Sequence, residues 1–220
     1  MNLKDILKKV DHTLLSPVSS WDDIKELIKD AKKYETASVC IAPSFVKKAR
    51  EFDDDIKICT VIGFPLGYQT TETKVFETKD AIKNGADEID MVINIGRVGE
   101  DYEYILNEII AIKKVCEDKI LKVIIETAYL SEKEKMELCD IVSKSGADYI
   151  KTSTGFAESG AKLEDIILFK DHLNSRVKIK AAGGISSVKD AEDFINAGAE
   201  RLGTSRLVKI AKGIENESGY

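Results

Sequence analysis

The sequence predicts an α/β fold, a single (β/α)8 TIM barrel over residues 1–220, and three observations carry that expectation. Short β-branched runs alternate with amphipathic helical stretches from one end of the chain to the other. Eight such runs fit into 220 residues with no Pro/Gly-rich linker or low-complexity segment between them, at the small end of the size range of this fold. Gly85-Ala86-Asp87, Gly146-Ala147-Asp148 and Gly198-Ala199-Glu200 each close a helical stretch and open an apolar run, at spacings of 61 and 52 residues that fit two strand-helix units apiece. Glycine after a helix takes the left-handed cap without a Cβ penalty, so this repeat reports architecture and not ancestry. An open doubly wound sheet is the alternative, but it has roughly five or six strands, and no G-x-G-x-x-G follows an early strand here.

In chain order the strands are expected at VDHTLL from Val10, SVCIA from Ser38, IKICTVIGF from Ile56, EIDMVINIG from Glu88, ILKVIIETA from Ile120, ADYIKTS from Ala147, VKIKAAGG from Val177 and AERLGTS from Ala199. Helical spacing near 3.6 between them is clearest in Trp21, Ile24, Leu27, Ile28 and Ala31. Ser20 with Asp23, Ser131 with Glu134 and Ser187 with Asp190 have the pattern of capping boxes, in which a hydroxyl accepts an orphan backbone N–H. The Lys/Glu-rich helices read as solvated outer faces.

Composition sets the background. At 24.4 kDa, with 43% apolar and 33% charged residues, the chain reads as soluble and globular, and no run approaches the roughly 18 apolar residues of a membrane span. Met1 to Val10 lacks a signal-peptide core, so a cytoplasmic location is expected. A net charge of −6 argues against nucleic acid as the main partner. Cys40, Cys59, Cys116 and Cys139 show no C-x-x-C spacing and read as reduced core residues. With only His12 and His172, far apart, no metal site is expected.

Strand parity points to chemistry. In the fourth strand Ile89, Met91 and Ile93 form the apolar set, which turns Glu88, Asp90, Val92 and Asn94 into the barrel. In the fifth, Lys122, Ile124 and Glu126 face inward, and in the seventh, Lys178 and Lys180 do. Parity leaves Lys151 open. The interior is thus expected to hold Asp90, Lys122, Glu126 and Lys180, together with Lys151. Buried charges cost several kcal/mol each unless paired, so the cluster is either a structural salt-bridge network or a reaction centre. Its place toward strand C-termini, where barrels build their sites, favours the second. Lys151 and Lys180 stand 29 positions apart, one strand-helix unit. A second ammonium disfavours protonation of both, which frees one amine to attack a carbonyl. Asp11, His12 and Cys40, near strand ends, read as structural.

A second constellation concerns phosphate. Gly183 and Gly184 follow the seventh strand, and Gly203, Thr204, Ser205 and Arg206 follow the eighth, in the loops that form the usual phosphate cradle of this fold; Thr154 and Gly155 offer further donors.

At these residues the chain resembles the deoxyribose-phosphate aldolases, a family of class I aldolases. The motifs span nearly the whole chain: DHTLL near Asp11, VCIAP near Cys40, EIDMVINIG around Asp90, KVIIETAYL around Glu126, IKTSTGF around Lys151, KAAGGI around Lys180 and GTS at Gly203 to Ser205. The resemblance implies reversible cleavage of 2-deoxy-D-ribose 5-phosphate to acetaldehyde and D-glyceraldehyde 3-phosphate, in deoxyribose phosphate catabolism, with no metal or organic cofactor. It implies a Schiff base on Lys151, a second lysine at Lys180, a proton-relay aspartate at Asp90 and phosphate contacts at Gly155, Gly183, Gly184, Gly203 and Ser205. Some members use a C-terminal tyrosine for proton transfer, which falls on Tyr220 at the end of an expected flexible tail, residues 214–220. A homo-oligomer, dimer or tetramer, is expected. Arg206 and Phe156 depart from residues common in the family. The rival readings are another Schiff-base lyase or transaldolase, a phosphate-binding barrel isomerase or synthase that needs no imine, and a non-catalytic scaffold.

Overall fold

Parallel strands cannot be joined by hairpins, so each must be followed by a crossover that returns the chain to the same end of the sheet. In the computed structural model, which describes residues 1–213, this produces eight parallel strands closed into a barrel in sequence order, with β8 pairing back onto β1. The strands are β1 (Val10–Leu14), β2 (Ser38–Ile41), β3 (Ile58–Ile62), β4 (Glu88–Val92), β5 (Ile120–Ile124), β6 (Tyr149–Lys151), β7 (Lys178–Ala182) and β8 (Arg201–Thr204). Helix α1 (Leu3–Leu7) precedes β1, and α2 (Trp21–Tyr34), α3 (Val46–Phe52), α4 (Thr71–Lys83), α5 (Tyr102–Cys116), α6 (Glu132–Ser145), α7 (Leu163–His172), α8 (Val188–Ala197) and α9 (Arg206–Ala211) follow β1 to β8 in turn.

The expected local signals form. All three capping boxes close reciprocally, at Ser20/Asp23, Ser131/Glu134 and Ser187/Asp190. The repeated Gly-Ala-acid also has a physical reason. Asp87 donates its N–H to the Ile58 carbonyl while its carboxylate accepts from the Ile58 N–H at 2.9 Å, and Asp148 does the same to Leu121, with 2.8 Å to its carboxylate. Each acid thus fastens the start of its strand to the strand before it and sets the register.

Two apolar regions result. The main core lies between strands and helices, where Ile89, Met91, Leu121 and Val123 meet Ile105, Ile109 and Ile112 of α5, all fully buried. Burial of such side chains stabilises by roughly 1.5–3 kcal/mol each. A small separate cluster, Cys40, Cys59 and Val61 with Leu15 and Phe64 against it, lies apart from that core. All four cysteines are free and buried.

Two expectations need correction. Lys178 is exposed rather than interior: it is the first residue of β7, so it emerges at the N-terminal rim, with its Nζ 3.8 Å from Glu200 and 5.9 Å from the centre of the Tyr149 ring. The Lys/Glu-rich helices are not solvated throughout either. Lys74 of α4 and Glu108 of α5 are both fully buried, 2.9 Å apart, and the Lys74 ammonium also donates to the Val92 carbonyl. Burial pushes Lys74 down and Glu108 up, each opposed by its partner.

A pair of this kind stabilises little, but breaking it strands a charge. Glu108→Ala is expected to cost about 3–5 kcal/mol, read as a fall in the denaturant midpoint, whereas Lys74→Met/Glu108→Leu recovers most of that loss. Equal stability of the single and double variants contradicts this account.

Candidate active site

The barrel interior is polar where parity places the charges, and Asp90 is its centre. This fully buried carboxylate of β4 accepts from Lys122 of β5 at 2.9 Å through Oδ1, and from Lys151 of β6 and Lys180 of β7 through Oδ2, each at 2.7 Å. The Lys151 and Lys180 nitrogens therefore lie within about 5.4 Å of one another, twice the distance each keeps to the shared oxygen. Lys151 is the last residue of β6 and is 3% exposed, while Lys122 and Lys180 have no exposure at all. Adjacent registry, Lys151 opposite Lys180, resolves the parity that sequence leaves open.

Deeper in, Asp11 of β1 accepts from Lys180, from Arg201 of β8 and, at 2.7 Å, from the Ser38 hydroxyl of β2. Glu88 of β4 lies 2.6 Å from Lys122 and 3.1 Å from Arg201. The Cys59 thiol of β3 donates to Asp90 Oδ1 at 3.1 Å. Arg201 was not among the expected interior residues, although Leu202 beside it supplied the parity signal; Asp11 is structural in its bonding, as expected, yet shares Lys180 with the site.

The electrostatics follow from these contacts. Burial alone raises the Asp90 carboxyl, but Lys122, Lys151 and Lys180 outweigh it and hold the group well below the usual carboxylate range. Burial likewise opposes the charge on Lys180 and Lys122, and the carboxylates around them overcome it, so both are raised and stay ammonium ions. Arg201 is raised in the same way by Asp11 and Glu88.

The phosphate-associated residues gather at the ends of β6 and β7. Gly155, Gly183 and Gly184 all have positive φ, and among the described residues their amides donate to nothing. A Cβ on Gly183 comes within 3.6 Å of the Gly155 Cα, so the two turns adjoin. Gly160, which the sequence did not single out, packs so closely that a Cβ there falls 2.3 Å from the Gly183 carbonyl carbon. Gly203 has a different setting: it is within β8, where a Cβ meets the Lys180 side chain at 3.2 Å, and its lack of a side chain gives that lysine room. Ser205 stands immediately before α9 with no side-chain capping bond. The N-terminus of α8 is closed by its own residues, since Asp190 accepts from the Ser186 and Ser187 amides at 3.0 Å each. The donors of Thr154 are likewise taken, both its N–H and its hydroxyl going to Glu126. Tyr220 lies outside the described residues.

Residues 6–210 match the family model described as DeoC/LacD family aldolase. Among curated proteins, the chain is 61% identical to the deoxyribose-phosphate aldolase of Clostridioides difficile, over 99% of this chain and all of that one, and 56% identical to that of Clostridium botulinum over the full length of both. Among solved structures, the deoxyribose phosphate aldolase of Aeropyrum pernix, described as a tetramer, superposes with a TM-score of 0.90 at 30% identity, covering 98% of this chain and 93% of that one. An aldolase called QR15 gives a TM-score of 0.91 at 39% identity, covering 95% of each chain. On that agreement of sequence and fold, the chain belongs to the DeoC/LacD family of aldolases.

Proposed function

We propose that this protein is a class I aldolase that reversibly cleaves 2-deoxy-D-ribose 5-phosphate to D-glyceraldehyde 3-phosphate and acetaldehyde, with Lys151 as the Schiff-base nucleophile. The observation that carries the reading is a charge count in the interior. Four cations, Lys122, Lys151, Lys180 and Arg201, face three carboxylates, Asp11, Glu88 and Asp90. Lys122, Lys180 and Arg201 each contact at least two of the carboxylates, whereas Lys151 contacts Asp90 alone. Lys151 is therefore the least tied of the four, and at the end of β6 it is the amine placed to meet a carbonyl.

In the cleavage direction the Lys151 nitrogen attacks C1 of the open-chain sugar, and the carbinolamine loses water to give an iminium. The C3 hydroxyl then gives up its proton, C3 becomes the aldehyde of glyceraldehyde 3-phosphate, and the C2–C3 electron pair moves onto the iminium to form an enamine. Protonation at C2 and hydrolysis release acetaldehyde and the amine. The iminium is the electron sink, so this chemistry needs no metal or organic cofactor. Asp90 and Lys180, in contact with each other and within reach of the Lys151 nitrogen, are assigned the proton relay. Gly155, Gly183 and Gly184 offer free amides for the phosphate, and Ser205 is assigned to the same group; Gly203, expected beside them, instead leaves room for the Lys180 side chain. The tetramer described for the Aeropyrum pernix relative supports a homo-oligomer here, and the fold, in which no described helix is long and apolar enough to cross a membrane, accords with a cytoplasmic enzyme.

Treatment with acetaldehyde and borohydride is expected to leave a two-carbon adduct on Lys151, located by peptide mass spectrometry. Lys151→Arg abolishes both the adduct and turnover; trapping at the normal rate in that variant removes Lys151 from the role.

Lys180→Leu removes the cation that shares Asp90 Oδ2 with Lys151 and so disfavours a second charge beside it. The rate is therefore expected to fall much more at pH 7 than at pH 9, and an unchanged shape of the pH–rate profile rules out this part for Lys180.

A further inference from the structure

Past Lys151, the chain leaves β6 along an unusual path. Ile125 donates to the Lys151 carbonyl and Thr127 to the Thr152 carbonyl, so the β5 side advances two residues while the β6 side advances one. The extra residue, Glu126, is a non-glycine in the left-handed region, with φ 53° and ψ 69°, a bulge of the kind that re-aims side chains beside active sites. Its buried carboxylate accepts from the Thr154 amide and hydroxyl, and the Thr154 hydroxyl accepts from the Phe156 amide at 3.0 Å. Thr152 is equally engaged, its hydroxyl donating to the Ala182 carbonyl and accepting from the Ala182 amide, each at 3.1 Å.

Ser153, between these two threonines, has no such partner. It is fully buried, and among the described residues its hydroxyl makes no hydrogen bond. Alternation along the strand puts it on the same face as Lys151, about 7 Å further toward the open end. Its Cβ lies 3.7 Å from where a Cβ on Gly183 would stand, at the turn whose amides are free. A buried hydroxyl left unpaired costs about 1–3 kcal/mol.

We propose that Ser153 is a substrate-binding residue, its hydroxyl pairing with the hydroxyl on C4 of the sugar phosphate, on the carbon between the cleaved bond and the phosphate-bearing carbon. This rests on the aldolase reading above. With the imine carbon fixed at Lys151 and the phosphate at the Gly183 turn, the carbinol carbons of the substrate pass Ser153. The bulge at Glu126 explains why it is this hydroxyl that is free: the neighbouring donors on either side are bound to protein.

Ser153→Ala separates a binding role from a structural one. In the synthetic direction, with acetaldehyde as donor, the variant is expected to lose about tenfold in kcat/KM with glyceraldehyde 3-phosphate, the worth of one hydrogen bond of roughly 1.4 kcal/mol. With 3-phosphooxypropanal, which lacks the corresponding hydroxyl, it is expected to equal the wild type, and its denaturant midpoint is expected to match or exceed the wild-type value. An equal loss on both acceptors, no loss on either, or a lowered midpoint overturns the proposal. The borohydride adduct of wild type with acetaldehyde reads the aldolase assignment separately: if it forms and Ser153→Ala behaves as wild type, only the role of Ser153 fails, and if it does not form, both readings fall.

Discussion

One carboxylate holds the interior of this barrel together. Asp90 takes ammonium groups from three successive strands, and each of those lysines or its neighbours passes the connection on, until every strand has contributed a side chain: Asp11, Ser38, Cys59, Asp90, Lys122, Lys151, Lys180 and Arg201. Such a network is a poor way to gain stability. Desolvating each ion costs several kcal/mol, and well-packed apolar residues of similar volume commonly do as well or better. What it provides is position. A lysine has four rotatable bonds, yet Lys151 and Lys180 are both fixed to one oxygen, so both nitrogens are held in place.

The charge pattern within the ring distinguishes the lysines from one another. Lys122 and Lys180 are fully buried, and they and Arg201 each contact more than one carboxylate, which secures their protons. Lys151 sits at the end of its strand with one carboxylate contact, and that one is shared. The sequence-based argument that a second ammonium loosens the proton of the first is thus only part of the matter. Lys180 is a lasting cation because Asp11 and Asp90 both face it, whereas Lys151 has Asp90 alone.

Much of this was legible in the chain because the period of a strand is two and the barrel interior has room for one face only. Ile89, Met91 and Ile93 declare the outer face of β4, and Asp90 follows at once; the same logic reaches Lys122 and Lys180. It overreached at Lys178, since parity gives a face and not a depth, and the first residue of a strand can share the face yet stand in solvent. Glu126 was placed inward, but its left-handed backbone was not foreseen, because no sequence mark distinguishes a strained glutamate from a relaxed one. The pairing of Lys74 with Glu108 was hidden for a related reason: a lysine on a helix reads as solvated until the neighbouring helix is known to carry its partner. Gly160 belongs to the same class, its small size being required by a turn more than twenty residues away.

The same ring also bears on how the intermediates are tolerated. In the proposed mechanism, formation of the iminium puts a positive charge on the Lys151 nitrogen. That charge has the sign and place of the ammonium already paired with Asp90 Oδ2. The ion pair that holds the resting lysine is therefore preorganised for the cationic intermediate, with no reorganisation of the surrounding groups. Cleavage of C2–C3 would then discharge the iminium to a neutral enamine, and hydrolysis would pass through the cation once more. In that mechanism Asp90 suits both states because its carboxyl is held so low: it stays a carboxylate beside ammonium or iminium and keeps its hold on the lysines.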